Sequence, residues 1–236
     1  MRTRPPLPGG DGRVDHSGLQ PFLESVARGG LGEVSSLSEE LDVYLKDLAS
    51  VAPDGLHPDA SLAYWINLYN ASAVRLGIEA WMSGRDSVLR VRGRFRRPVA
   101  TVAGEELSLD DIEHGKVRRF KDPRIHGALV CGALSCPSLR ASPFTESDLD
   151  SQLDDQLRSF LSGGGAVSDG DGGVRLSRVF LWYGSDFVRP HRMPTFLPSS
   201  RARVARALRP WLPEELASAE VVGYQDYDWG LGCSVG

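Results

Sequence analysis

The sequence predicts an α+β fold in which an antiparallel sheet packs on helices. Apolar residues recur at helical spacing near residues 17–28, 36–51, 57–81 and 145–162. Between residues 87 and 109 the pattern changes to alternation of apolar and polar residues, which is typical of strands. Pro- and Gly-rich linkers do not interrupt the middle of the sequence. We therefore expect a disordered tail over residues 1–15 and a single α+β domain over residues 16–236.

The first two predicted helices show packing stripes and no reactive pattern. One covers residues 17–28 and ends at Gly29 and Gly30. The other begins at Ser36, with Glu39 placed for a capping box.

The third predicted helix starts at Pro58 and has a wide apolar face, so we expect it to be central and to support the sheet along residues 63–76. It carries Asn67 and Asn70, which are neighbours on the helix surface because they lie three residues apart. Asn is a poor helix former. We therefore expect the two amides either to hold a loop or another segment, or to contact a substrate.

Residues 87–109 predict two or three antiparallel strands, followed by a short helix capped by Ser108 with Asp111 three residues later. That helix carries Glu113 and His114. The basic run RVRGRFRR at residues 90–97 fits a solvated strand edge better than a nucleic-acid site.

The stretch DPRIHGALVCGALSCPSL, residues 122–139, concentrates reactive side chains in a small, apolar segment. We expect IHGALVCGAL to form a buried strand with His126 and Cys131 on opposite faces. Pro137 suits the first turn of a helix, so Cys136 would cap a helix N-terminus, where the thiolate is favoured. Cys136 is thus the candidate nucleophile. Arg124 either binds a substrate carboxylate or forms an ion pair with Asp122 or Glu113.

The rest of the sequence predicts packing elements. These are an amphipathic helix capped at Thr145 and stopped by Gly163–Gly165, a strand or short helix over residues 174–187, a basic helix near residues 199–212 and a strand-like tail.

The net charge of −4 argues against a nucleic-acid partner, and no apolar run has the roughly 20 residues of a membrane span. The first residues lack the apolar core of a signal peptide. We therefore expect a cytoplasmic protein that has no membrane partner, needs no cofactor and acts on a small-molecule or peptide substrate. A reducing cytoplasm would keep Cys131 and Cys136 as thiols.

Five phrases together resemble the domain of unknown function 547 family. They are AYWINLYNA (63–71), LSLDDIEHG (107–115), DPRIHGALVCGALSCPSL (122–139), WYGSDF (182–187) and YDWGL (227–231). They cover most of the chain from about residue 60 onwards, but Gly230 and Gly232 depart from the Ser and final Asn that the family often has near its DW dipeptide. The resemblance implies a papain/transglutaminase-like fold, in which a Cys at a helix N-terminus works with a His and an Asp, Asn or Glu. Here both candidate His residues precede the Cys, which implies a circularly permuted order.

The resemblance and the residues predict a thiol-dependent hydrolase or acyltransferase that acts on an amide or thioester carbonyl. Cys136 would attack, and His126 or His114 would be the base. Adjacent side chains on a helix diverge by about 100°, so Glu113 is poorly placed to orient its neighbour His114. We therefore expect Glu113 to orient His126.

Two alternatives remain open. One is a non-catalytic binding module on a papain-like scaffold. The other is a zinc site of His114, His126, Cys131 and Cys136, for which the four-residue gap between the two Cys residues is at the loose end of known spacings.

Overall fold

The computed structural model describes residues 7–195 and 197–235, and it has the predicted α+β composition. Its α-helices are α1 (Gln20–Val34), α2 (Ser38–Ala49), α3 (Pro58–Met82), α4 (Leu109–Asp111), α5 (Ile125–Ala128), α6 (Leu149–Phe160), α7 (Val179–Val188) and α8 (Arg201–Leu208). Its strands are β1 (Pro98–Val102), β2 (Glu105–Ser108), β3 (Ala166–Ser168), β4 (Gly173–Leu176) and β5 (Glu220–Tyr224). No described helix is both long enough and apolar enough to cross a membrane.

The central helix α3 organises the larger of two clusters of buried hydrophobic residues. It begins at Pro58, as predicted, and buries nearly every side chain between Ala60 and Ile78. Helices α1 and α2 pack against it. Gly29 and Gly30 interrupt α1 with non-helical backbone, where the sequence predicted its end, but the helix resumes beyond them. Burial on all sides explains why α3 has so broad an apolar surface.

The second cluster lies in the C-terminal part of the chain and is built on β3, β4, β5, α7 and α8. Its sheet is mixed: β4 pairs with β3 antiparallel and with β5 parallel. The other sheet is the antiparallel hairpin of β1 and β2, and it contacts α2. The prediction of one antiparallel sheet packed on α3 is therefore only partly correct.

Two segments that were predicted as strands have other structures. Residues 88–96 form 3₁₀ turns at Val88–Arg90 and Arg94–Arg96. The run after Arg124 forms α5 and then a loop. Helix α5 approaches α6 so closely that a Cβ on Gly127 would lie 2.9 Å from the Leu157 Cα. A short apolar run does not by itself distinguish a buried strand from a buried helix.

The helix predicted to start after Cys136 is also absent from the described chain. The Cys136 N–H closes a turn onto the Ala133 carbonyl, and the chain beyond it pairs with the C-terminal segment through Leu139 and Val235. The helix-terminus argument for a Cys136 thiolate is therefore wrong.

Part of the predicted disordered tail, residues 1–6, lies outside the described residues. Within the described part, the Gly12 N–H donates to the Gly55 carbonyl, and the Gly12 carbonyl accepts from the His57 N–H.

Candidate functional site

A cavity of about 230 Å³ lies where the two hydrophobic clusters meet. Tyr69 and Leu129 line it from the larger cluster, and Val179 from the smaller one. All four predicted catalytic residues also line it, namely Glu113, His114, His126 and Cys136, together with Cys131. The structure thus brings together side chains that lie up to 23 positions apart in the sequence, between Glu113 and Cys136.

His126 is held by Asp186, a residue of α7. Its Nε2 donates to Asp186 Oδ2 over 2.9 Å, and its ring stacks on Tyr183 with centroids 4.2 Å apart. The same Asp186 oxygen accepts from Nε and Nη2 of the buried Arg118, at 2.9 and 2.7 Å. The Thr195 N–H donates to the other oxygen. Asp186 therefore ties α7 to both α5 and the helix that carries Arg118.

The hydrogen-bond donors around Asp186 determine the charges of Asp186 and His126. Burial alone would raise the pKa of Asp186, but the hydrogen bonds from His126 and the Thr195 N–H, with the charge of Arg118, hold it below its ordinary value. Burial lowers the pKa of His126, against the opposing effect of its bond to Asp186. Asp186 is thus the anion that compensates Arg118, and His126 is neutral with its proton on Nε2. The lone pair of His126 is then on Nδ1.

Cys131 and Cys136 are joined by a disulfide bond, which contradicts the expectation of free thiols. Cys136 Sγ also accepts from the Cys131 N–H at 3.0 Å and from the Tyr227 hydroxyl at 3.2 Å. Burial raises the pKa of Tyr227, so this hydroxyl stays protonated and donates. No hydrogen bond between described residues joins either sulfur to an imidazole.

The C-terminal segment, residues 227–235, holds this Cys loop in place. Leu134 N–H donates to the Gly230 carbonyl, and Gly232 N–H donates to the Gly132 carbonyl, on either side of a bridge between Ala133 and Leu231. Gly132 has φ of +79°, a conformation that favours glycine. The loop therefore takes its shape from residues more than 90 positions further along the chain.

Glu113 and His114 line the cavity without contacting His126. Glu113 Oε2 accepts from the Tyr69 hydroxyl at 3.4 Å, whereas Oε1 is buried and has no hydrogen-bond partner among the described residues. His114 is exposed, and its Nδ1 lies 3.2 Å from Arg118 Nη1. Since the group that orients His126 is Asp186, the role predicted for Glu113 is corrected.

The two Asn side chains are fully used in holding backbone segments. Asn67 donates to the Phe144 carbonyl at 2.8 Å and accepts from the Phe144 N–H at 3.0 Å. Asn70 does the same for the Ala128 carbonyl and the Val130 N–H, both at 3.0 Å. Both are buried away from the cavity, so they position the loops around the site in place of the predicted substrate contact.

Arg124 is also committed to the protein. It binds both carboxylate oxygens of Asp122 and reaches Asp150 and Asp154 on α6. It does not line the cavity. Of the two sequence interpretations, the structure thus has the ion pair with Asp122.

Sequence reasoning missed Asp186, Arg118, Tyr183 and Tyr227 as members of the site. The signal was present, because Tyr183 and Asp186 belong to the WYGSDF phrase and Tyr227 to the YDWGL phrase. Neither phrase has a local pattern that reveals its partner in space. The proposed zinc ligands do not form a metal site: in the described part of the chain, no three or more His, Cys, Asp or Glu side chains are grouped to hold a metal ion.

The fold and the cavity define an α+β protein with Cys and His side chains on one wall of a pocket. Residues 53–161 match the family described as protein of unknown function, DUF547, in agreement with the resemblance predicted from the sequence. The match includes Glu113, His126 and both bonded Cys residues, but ends before Asp186 and Tyr227. No curated protein and no solved structure matches the chain. The papain/transglutaminase-like assignment remains a prediction.

Proposed function

We propose that the protein is a thiol-dependent hydrolase or acyltransferase that acts on an amide or thioester carbonyl through Cys136 and His126. One observation carries the proposal. Cys136 Sγ, which accepts two hydrogen bonds, lines the same cavity as an imidazole held by Asp186. A nucleophile, a base and a group that orients the base are the parts that such catalysis requires.

The chemistry begins from the reduced protein, because a disulfide sulfur is not a nucleophile toward carbonyls. A dithiol reductant supplies two electrons and two protons and gives free Cys131 and Cys136. The Cys136 thiol then transfers its proton to His126 Nδ1, and the sulfur attacks the carbonyl carbon. As the tetrahedral intermediate collapses, His126 returns that proton to the leaving amine or thiol, and an acyl thioester remains on Cys136. Water or an acceptor amine completes the cycle.

Two donors support a Cys136 thiolate in place of the helix terminus that the structure lacks. The Cys131 N–H and the Tyr227 hydroxyl both point at Cys136 Sγ in the oxidised state. Hydrogen bonds to the charged form of a group lower its pKa. If both persist after reduction, the thiolate population at neutral pH rises.

The disulfide favours a second candidate function, a non-catalytic binding module. In that case the bond between Cys131 and Cys136 is permanent and only shapes the cavity wall. Both functions use the same cavity, and they differ in whether the reduced thiol is activated.

The test is the pH dependence of iodoacetamide alkylation in a Cys131→Ser protein, which cannot re-form the disulfide. We expect Cys136 to titrate below the ~8.5 of a free thiol and to lose that shift in a His126→Gln background. Cys233 is the internal control for a thiol that is not activated, because burial raises its pKa to about 12. A Cys136 that titrates as an ordinary thiol, or whose pKa is insensitive to His126, contradicts the enzyme proposal and favours the binding module.

A further inference from the structure

The charged side chains that line the cavity are acidic. Its charged lining residues are Asp110 and Glu113, and none of the described lining residues is Lys or Arg. Asp110 is partly compensated from outside by Arg96, at 3.3 Å. Glu113 Oε1 is the acceptor that remains without a hydrogen-bond partner among the described residues.

His114 does not neutralise Glu113. Its Nδ1 lies 3.7 Å from Glu113 Oε1, but it lies closer, at 3.2 Å, to Arg118 Nη1. An arginine N–H only donates, so His114 Nδ1 is the acceptor and carries no proton. Burial of a carboxylate oxygen without a partner is costly, so a ligand that donates a hydrogen bond to the Glu113 carboxylate would offset part of this cost.

The cavity lining is also rich in aromatic residues. Trp182, Tyr227 and Trp229 form a three-ring cluster with centroid separations of 4.9, 5.9 and 4.6 Å, and all three rings line the cavity. Trp182 is 43% exposed, so its ring is open to an incoming ligand. The faces of Trp and Tyr rings attract cations. A cavity that is lined both by such rings and by a carboxylate is suited to a positively charged group.

We propose that this cavity binds a primary alkylammonium group, with the Glu113 carboxylate accepting its N–H and the aromatic cluster packing on its alkyl chain and charge. The volume of about 230 Å³ is below the roughly 300–1,000 Å³ of pockets for drug-sized ligands, and so fits one aminoalkyl chain such as a lysine side chain. That the bound amine belongs to the substrate rests on the proposed function. The binding of the amine does not.

The test is isothermal titration calorimetry on the oxidised protein with Nα-acetyl-lysine N-methylamide and its neutral isostere, Nα-acetyl-norleucine N-methylamide. We expect the lysine compound to bind at least about 10-fold more tightly and to weaken at high salt. Glu113→Gln and Trp182→Leu should each reduce its affinity several-fold. Glu39→Gln, on the exposed first turn of α2, is the matched control and should have no effect.

Equal binding of the two compounds, no measurable binding of either, or an unchanged affinity in both Glu113→Gln and Trp182→Leu overturns the proposal. Tighter binding of a neutral sugar than of the lysine compound also overturns it, because aromatic rings and acids serve sugars too. The two proposals fail separately. This inference fails by calorimetry on the oxidised protein, whereas the proposed function fails by alkylation of the reduced Cys131→Ser protein, and neither result determines the other.

Discussion

Asp186 binds His126 across the boundary between the two hydrophobic clusters, through an Oδ2–Nε2 hydrogen bond of 2.9 Å. The same carboxylate neutralises the buried Arg118. One side chain therefore joins the two parts of the fold and fixes the tautomer of the candidate base.

Replacement of Asp186 should be costly to the fold. In Asp186→Asn, the buried Arg118 guanidinium loses the negative charge of Asp186, and loss of one partner of a buried pair typically costs about 3–5 kcal/mol. We expect a fall of that size in the free energy of unfolding, measured by urea denaturation. Asp226→Asn is the matched control, since Asp226 is fully exposed and its Arg178 contact is 3.7 Å long. Equal stability of the two variants would refute the structural role of Asp186.

Stability should fall as the pH is lowered from 7 toward 4.5. Burial lowers the pKa of His16 from 6.5 to about 4. The unfolded state therefore binds more protons than the folded state in this pH range, and the free energy of unfolding falls as the pH is lowered. A difference of this size between the folded and unfolded pKa of His16 corresponds to a loss of about 3 kcal/mol at most. The lowered pKa of His126 acts in the same direction. His16→Asn should flatten the dependence of the unfolding free energy on pH, and an unchanged slope would contradict the assignment.

The two Asn residues of α3 should be separable by experiment. Asn67→Ala and Asn70→Ala each leave two buried backbone groups unpaired, so each should lower the free energy of unfolding by about 2–4 kcal/mol. Only Asn70 holds the segment next to Cys131. We therefore expect Asn70→Ala, and not Asn67→Ala, to change the alkylation rate of the reduced Cys pair. Identical rates in the two variants would show that Asn70 does not position the site.

The Tyr227 hydroxyl should influence the Cys136 thiol directly. In a reduced Cys131→Ser background, Tyr227→Phe removes one donor to Cys136 Sγ and should raise the thiol pKa by up to about one unit. Alkylation as a function of pH measures this. Tyr224→Phe, in β5, is the control and should leave the pKa unchanged.

The disulfide predicts a distinct labelling pattern. The chain has three Cys residues, and Cys233 is the one outside the bond. Intact mass after denaturation and iodoacetamide treatment should show one adduct without reductant and three after reduction. Three adducts without reductant would mean that the thiols are free.

The sequence predicted the long helices well because their signals are local. Pro58 at the start of α3 and the capping box of Ser108 with Asp111 were both found where expected. The Cys loop was misjudged because its backbone is determined by Asn70 and by the C-terminal segment, which no local pattern reveals. The four predicted catalytic residues do line one cavity, but Asp186 lies 60 positions from His126, and only the fold brings the two together.

The dependence of the Cys loop on residues 227–235 has a consequence for biosynthesis. Chains fold from the N-terminus as they are made, at roughly 5–20 residues per second. Tyr227 follows Cys136 by 91 positions, so about 5–20 seconds pass between the synthesis of the loop and the arrival of the segment that fixes it. During that interval the two Cys residues are near neighbours on a nascent chain without their final restraints. The redox conditions around the nascent chain during that interval thus determine the state of the two Cys residues. The cavity is completed either with two thiols or with a disulfide in its lining.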